Sequence, residues 1–213
     1  MRTARWVSLL LALVLLAAAC HEGGSVDAGD GKPSRGVKHG TLAVDSQSDV
    51  DALDPGMAYA GFDFALLRGL VRELYSFDSR IEGEQSLQPV PDLADGPYKL
   101  SADGRTYSFR IRRGVRYAPP VDREVQAKDF VYAVERQLDP AHPSPNPYAR
   151  LIRGAGDFAA GKARTISGMQ APGPYTLRIT LDRPASDFPS ILTLPYFSPV
   201  PKEYASNYTL GRD

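Results

Sequence analysis

The chain has 213 residues, with 25 basic and 25 acidic side chains and a formal net charge of zero. That balance gives no electrostatic basis for binding nucleic acid or a strongly acidic substrate. Its single cysteine excludes an internal disulfide, and its three histidines, two of them before residue 40, offer little for a metal centre.

In chain order, residues 1–19 read as an export signal. Arg2 and Arg5 form a positive start, and residues 6–19 are an uncharged, largely apolar run of 14 residues. That length fits the apolar region of a signal peptide and is short of the roughly 20 residues a helix needs to cross a bilayer. Ala17-Ala18-Ala19 then precedes Cys20. Small side chains suit the pockets of a signal peptidase, so Cys20 reads as the lipidated first residue of the mature chain. The competing reading is an incidental cysteine discarded with the signal. Ala17 stands where the usual lipid-attachment pattern has Leu, with Leu16 one place earlier. Two or three acyl chains on one residue would hold the protein at the outer face of the membrane. Residues 20–40, rich in Gly with scattered Ser, Asp and Lys, read as a flexible tether.

The globular part is expected over residues 41–213. Leu42 and Val44 alternate with polar neighbours as a short strand, followed by a turn-rich stretch through Asp54-Pro55-Gly56. From Phe62 the period becomes helical, with Leu66, Leu67, Leu70, Val71 and Leu74 on the same face and Asp63 in the first turn. The segment from Tyr75 to Leu93 reads as mixed and partly extended because of Pro89 and Pro91. Ala102-Asp103-Gly104 marks a hairpin turn, after which Tyr107, Phe109 and Ile111 point one way. Arg112-Arg113-Gly114 turns the chain again before Val115-Arg116-Tyr117. Residues 127–138 form an amphipathic helix carrying Phe130, Val131, Val134 and Leu138, ended by Asp139-Pro140. Pro140, Pro143, Pro145 and Pro147 stiffen an irregular loop. A small-residue piece over 152–163 precedes a second hairpin, with strand 167–171, turn Pro172-Gly173-Pro174 and a strand bearing Leu177, Ile179 and Leu181. Residues 188–194 suit a short helix. The irregular interleaving indicates an α/β or α+β class.

No catalytic constellation is expected. There is no Gly-x-Ser-x-Gly elbow, and His142, the histidine beyond the tether, sits in the proline loop. Gly154-Ala155-Gly156-Asp157-Phe158-Ala159 matches a relaxed dinucleotide fingerprint but follows no predicted strand, so it reads as a packing or turn feature. Asp51, Asp54, Glu82 and Glu84 read as solvated loop charges, and no metal site is expected. Asn207-Tyr208-Thr209 is a glycosylation sequon by pattern only. Of the 11 tyrosines, Tyr59, Tyr75, Tyr117 and Tyr148 fall near predicted turns or element ends, where a stiff aromatic face with one polar handle suits a ligand pocket or ordinary packing.

An ordered series of motifs resembles the family 5 extracellular solute-binding proteins of ABC importers, the group of oligopeptide-, dipeptide- and nickel-binding proteins. The series is Leu53-Asp54-Pro55 with Ala58-Tyr59, then Leu70 to Tyr75 with Phe77-Asp78, then Pro89-Val90-Pro91-Asp92-Leu93-Ala94. Next come Ser101-Ala102-Asp103-Gly104-Arg105-Thr106-Tyr107-Ser108-Phe109, the run from Ile111 to Tyr117, and the helix from Ala127 to Arg136. There are departures from the family pattern. Tyr98 stands near the usual Trp, the loop before the helix lacks Gly-Thr-Pro, and Gln126 replaces the usual Thr or Ser cap.

The resemblance implies a type II periplasmic-binding-protein-like fold, in which two lobes close on a ligand. It implies that this chain is most of the first lobe without the second, and that one face of a clamp alone binds weakly. The implied work is capture of a small solute, an oligopeptide or dipeptide, for ABC permease subunits, with no cofactor and no chemistry. The ligand-proximal residues implied are Met57, Tyr59 and Gly61 in the loop after the first strand. A surface lipoprotein with a protein-interaction or signalling role is the alternative.

Overall fold

The computed structural model describes residues 41, 43–142 and 146–208. The proposed signal, Cys20, the tether, Leu42, part of the proline loop and the last residue of the sequon lie outside them. The chain divides into two units after Asp45, and the elements described below all belong to the second, from Ser46 on.

Two small strands, β1 (Tyr75–Ser76) and β2 (Val90–Pro91), pair antiparallel with Tyr75 opposite Pro91. The principal sheet is formed by β3 (Lys99–Leu100), β4 (Thr106–Arg110), β5 (Met169–Gly173) and β6 (Thr176–Thr180), in the antiparallel order β3-β4-β6-β5. Both expected hairpins are present, and the two meet along β4 and β6 in a register from Thr106↔Thr180 to Arg110↔Thr176. This register sets Tyr107 opposite Ile179 and Phe109 opposite Leu177, all four buried. The period-2 pattern is thereby satisfied on both strands at once, and a one-residue slip would turn the whole set outward.

Helix α1 spans Gly61–Leu70 and α2 spans Ala127–Leu138. The buried face of α2 carries Phe130, Val134 and Leu138, which join the sheet's inward residues in one core. Each such side chain contributes about 1.5–3 kcal/mol on burial. The short helices α3 (Ala155–Ala159), α4 (Phe188–Ile191) and α5 (Lys202–Ala205) complete the element order, together with 3₁₀ turns at Gly83–Leu87, Pro147–Leu151 and Pro195–Phe197.

Four local expectations are corrected. No strand forms over the described residues next to Leu42; residues 43–46 are irregular and Val44 is exposed, because no neighbouring strand pairs with them. Helix α1 stops at Leu70, which is exposed, while Leu74 is buried beyond it in an extended segment. The backbone there is recruited by the chain before β3: Leu93 N donates to Glu73 O at 3.0 Å, and Asp92 N and Ala94 N donate to Leu74 O. Strand β5 runs on to Gly173, so the turn is Pro174-Tyr175. A register irregularity between Gln170 and Gly173 accommodates Pro172, which has no N–H to give the ladder. Finally, the side chain of Gln126 does not cap α2. Asp129, three residues on, does that by accepting from Gln126 N at 2.9 Å. Helix α1 is closed similarly by buried Asp63, which accepts from Ala60 N and also from Asp51 N at 3.0 Å.

The glycine-rich run at α3 is the turn feature expected of it. Gly154 has φ 78°, the left-handed region, and lies so close to Ser167 that a Cβ would overlap the hydroxyl.

Candidate functional site

A cleft of about 900 Å³ opens on the folded unit. Its walls are residues 50–55 with Met57, the end of α1 at 70–72, the segment 115–118, and residues 199–201 with Tyr204 and Tyr208. The first wall is fixed by an ion pair. Arg136 on α2 reaches Asp54 with Nη1 at 2.8 Å from Oδ1 and Nη2 at 2.5 Å from Oδ2. The same carboxylate accepts from Gly56 N at 2.8 Å, and the Asp54 carbonyl accepts from Met57 N and Ala58 N. Burial alone would raise the Asp54 carboxyl, but the hydrogen bonds and charge of Arg136 outweigh it and hold the group below its ordinary value. Asp54 is therefore a structural anchor of the loop and not the solvated charge expected of it. His142 is buried beside this loop. Burial and the Arg136 charge lower its pKa, so it stays neutral at pH 7.

The opposite walls are joined by Arg123. Its guanidinium meets Asp129 at 2.8 Å through both Nη atoms, Glu203 on α5 at 3.0 Å through Nη2, and the Glu124 carbonyl at 2.9 Å. It also stands 5.2 Å from the ring centroid of Tyr117. Burial, then the charge of Asp129, raises the Tyr117 pKa, which keeps the phenol neutral. Arg123 thus ties three parts together: the segment bearing Tyr117, the start of α2, and the helix bearing Tyr204. The Glu203 carboxyl is held at about 2 by its hydrogen bonds to Arg123. The rings of Tyr204 and Tyr208 pack against one another in a tilted arrangement, with centroids 5.2 Å apart and planes at 46°.

Met57 is half-buried and lines the cleft, whereas Tyr59 is 80% exposed and Gly61 begins α1, both outside the lining. Of the four tyrosines singled out in the sequence, Tyr117 lines the cleft. Tyr75 is core, its hydroxyl accepting from Tyr98 N at 3.0 Å, and Tyr148 is exposed away from the cleft. Sequence reasoning missed Arg136, Tyr204 and Tyr208. Arg136 shows only as the polar side of an amphipathic helix, and the two tyrosines reach the cleft through contacts far apart in the chain.

The cleft is a concavity large enough to hold a small molecule. Its lining has no serine, cysteine or histidine, and each of its arginines is engaged by a carboxylate. Among the described residues no group of three or more His, Cys, Asp or Glu is placed to hold a metal ion. No helix among them is long and apolar enough to cross a membrane.

The profile of the bacterial extracellular solute-binding proteins, family 5 Middle, matches residues 88–212, more than half of the chain. The oligopeptide-binding protein OppA of Bacillus subtilis is 29% identical over 205 residues, covering 94% of this chain and 36% of that protein. The di/tripeptide-binding protein 2 of Pseudomonas aeruginosa is 30% identical over 177 residues, 78% of this chain and 30% of that one. Among solved structures, the peptide-binding pheromone receptor PrgZ aligns with a TM-score of 0.67 and 32% identity, over 77% of this chain and 31% of that chain. The chain therefore spans about a third of the length of these relatives. The mixed helix-and-sheet layer is that of part of a type II periplasmic binding protein. On the matched profile and this shared fold, the chain belongs to the bacterial extracellular solute-binding proteins of family 5, a family of binding proteins.

Proposed function

We propose that the protein captures a small solute, a peptide, outside the cytoplasm and delivers it to the permease subunits of an ABC importer. The observation that carries this reading is the match, over most of the folded unit, to relatives named for oligopeptide and di/tripeptide binding. The cleft supports it: it is large, open, and lined by groups that contact a ligand without attacking it. In this reading Met57 touches the solute. Tyr59 and Gly61 meet only the part of a ligand that overhangs the rim. The relatives named for oligopeptide and di/tripeptide binding favour this reading over a signalling lipoprotein.

Export and anchoring belong to the same proposal. The apolar run before Ala17-Ala18-Ala19 directs the chain across the membrane, and lipid on Cys20 retains it at the outer face.

Titration calorimetry on the complete gene product, with mixed dipeptides and tetrapeptides, tests the binding. Saturable heat at one site is expected; no heat with any peptide would overturn the assignment. In the same cells, Cys20→Ser is expected to move the protein from the membrane fraction to the soluble one. Unchanged fractionation would rule out the lipid anchor.

A further inference from the structure

The principal sheet has two unlike faces. Its inward side chains join the core, and α2 packs on that side against β5 and β6. The outward positions follow from the register. Lys99 lies opposite Ser108, Ser108 opposite Arg178, and Arg178 opposite Gln170, one row across all four strands. Beside that row Thr106 faces Thr180 on one flank and Arg110 faces Thr176 on the other. Arg153 extends the threonine pair, because Ile152 bridges to Leu181 and Arg153 N donates to Thr180 O at 2.9 Å. This face is therefore lined by hydroxyls, one amide and the cations Lys99, Arg110, Arg153 and Arg178, all four of them exposed.

No residue of the four strands is acidic. Arg110 has a carboxylate partner, Asp95 at 3.3 Å, with both groups largely in water. Lys99, Arg153 and Arg178 pair with no carboxylate among the described residues. Asp103 and Asp182 stand at the margins, each accompanied in the chain by an arginine, Arg105 and Arg183. A chain whose basic and acidic residues balance overall thus carries a local positive excess on one sheet face. The character of the face narrows what it fits. A protein partner would want an apolar, aromatic centre with charges at the rim, and here no outward strand position holds a large apolar side chain. None of these side chains lines the cleft described above. Lys99 and Arg178 stand two strands apart, roughly 10 Å, a spacing suited to single negative charges arrayed in a plane.

We propose that this basic sheet face rests on the anionic phospholipid headgroups of the membrane. The nearness of the membrane rests on the export and anchoring reading above, whereas the charge of the face does not. A flexible tether over residues 20–40 would span roughly 25 Å, which keeps the folded unit within reach of the bilayer. The three unpaired cations meet phosphates, and the threonine and serine hydroxyls donate to them. Docked in this way, α2 on the other side of the sheet faces away from the bilayer.

The test is co-sedimentation with vesicles, using the complete gene product without residues 1–20, so that neither acyl chain nor apolar run contributes. One set of vesicles holds phosphatidylglycerol and phosphatidylcholine in equal parts, the other phosphatidylcholine alone. Binding to the mixed vesicles is expected, with little to the neutral ones, and it should weaken about tenfold or more between about 0.05 M and 0.5 M salt. Lys99→Ser, Arg153→Ser and Arg178→Ser together are expected to lower the affinity about a hundredfold, about fivefold for each cation removed. These side chains lie outside the core, and a thermal melt run alongside verifies that the triple variant is folded. Lys128→Ser with Lys202→Ser, on α2 and α5, removes two exposed cations elsewhere and is expected to leave binding intact. Equal binding to both kinds of vesicle, or unchanged affinity in the triple variant, would overturn the proposal. An equal loss in the Lys128/Lys202 variant would also overturn it, by making the attraction a property of total charge. A polyglutamate peptide that binds where the mixed vesicles do not would assign the face to an acidic protein segment and overturn the membrane reading. Failure of the lipid anchor is read separately, from the fractionation of Cys20→Ser.

Discussion

Glu73 lies between α1 and β1 with 4% of its surface exposed, and its Oε1 has no hydrogen-bond partner. Burial, and after it the nearby Asp92 charge, raises its carboxyl from the ordinary 4.5 to about 7, against smaller opposing contributions from Arg68 and Arg72. Between pH 4.5 and 7 the unfolded chain releases this proton while the folded chain keeps it. Stability therefore falls as pH rises through that window and is flat in this respect above it. Glu73→Gln is expected to remove the slope and to stabilise the protein at pH 8 by on the order of 2 kcal/mol, with little change at pH 4.5. Urea unfolding of both proteins at the two pH values measures it; an unchanged slope in the variant would assign the dependence to other groups. Nothing in Arg72-Glu73-Leu74 marks the glutamate as buried. The helical period had carried Leu74 onto the α1 face, and the turn away from it arises from backbone bonds to residues 92–94.

Among the elements, the legible ones are those whose own residues decide them. Strand β4 and helix α2 follow from periodicity because each has one face of large apolar residues, Tyr107 and Phe109 on the first, Phe130, Val134 and Leu138 on the second. The segment between them could not be read this way, since Arg123 takes its partners from α2 and from Glu203, 80 residues on. Two ion pairs of different burial then differ in worth. Arg123 is 24% exposed and Asp129 2%, so Arg123→Ala strands a buried carboxylate and should cost about 3 kcal/mol. Arg110 pairs with Asp95 at the surface, 77% and 53% exposed, and Arg110→Ala should cost below about 0.5 kcal/mol. Thermal melts of the two variants side by side decide it, and equal losses would show that Arg123 does not clasp the cleft walls together.

For the whole molecule, the fold class was legible because two hairpins and one amphipathic helix carry it. The union of β4 with β6 was not, being a pairing across about 70 residues that no local pattern reports. The cleft was half legible. Of the loop that follows the Leu53-Asp54-Pro55 motif, Met57 lines the cleft while Tyr59 and Gly61 lie outside it. Tyr204, Tyr208 and the matched arginines needed three dimensions. The proposed solute capture turns on the cleft being where solute is held. A crystal structure of the complete gene product grown with a saturating tetrapeptide shows this without intermediaries. Peptide density against Leu53, Leu70 and Tyr204 is predicted. Density seated elsewhere, with these three side chains still facing water, would contradict it.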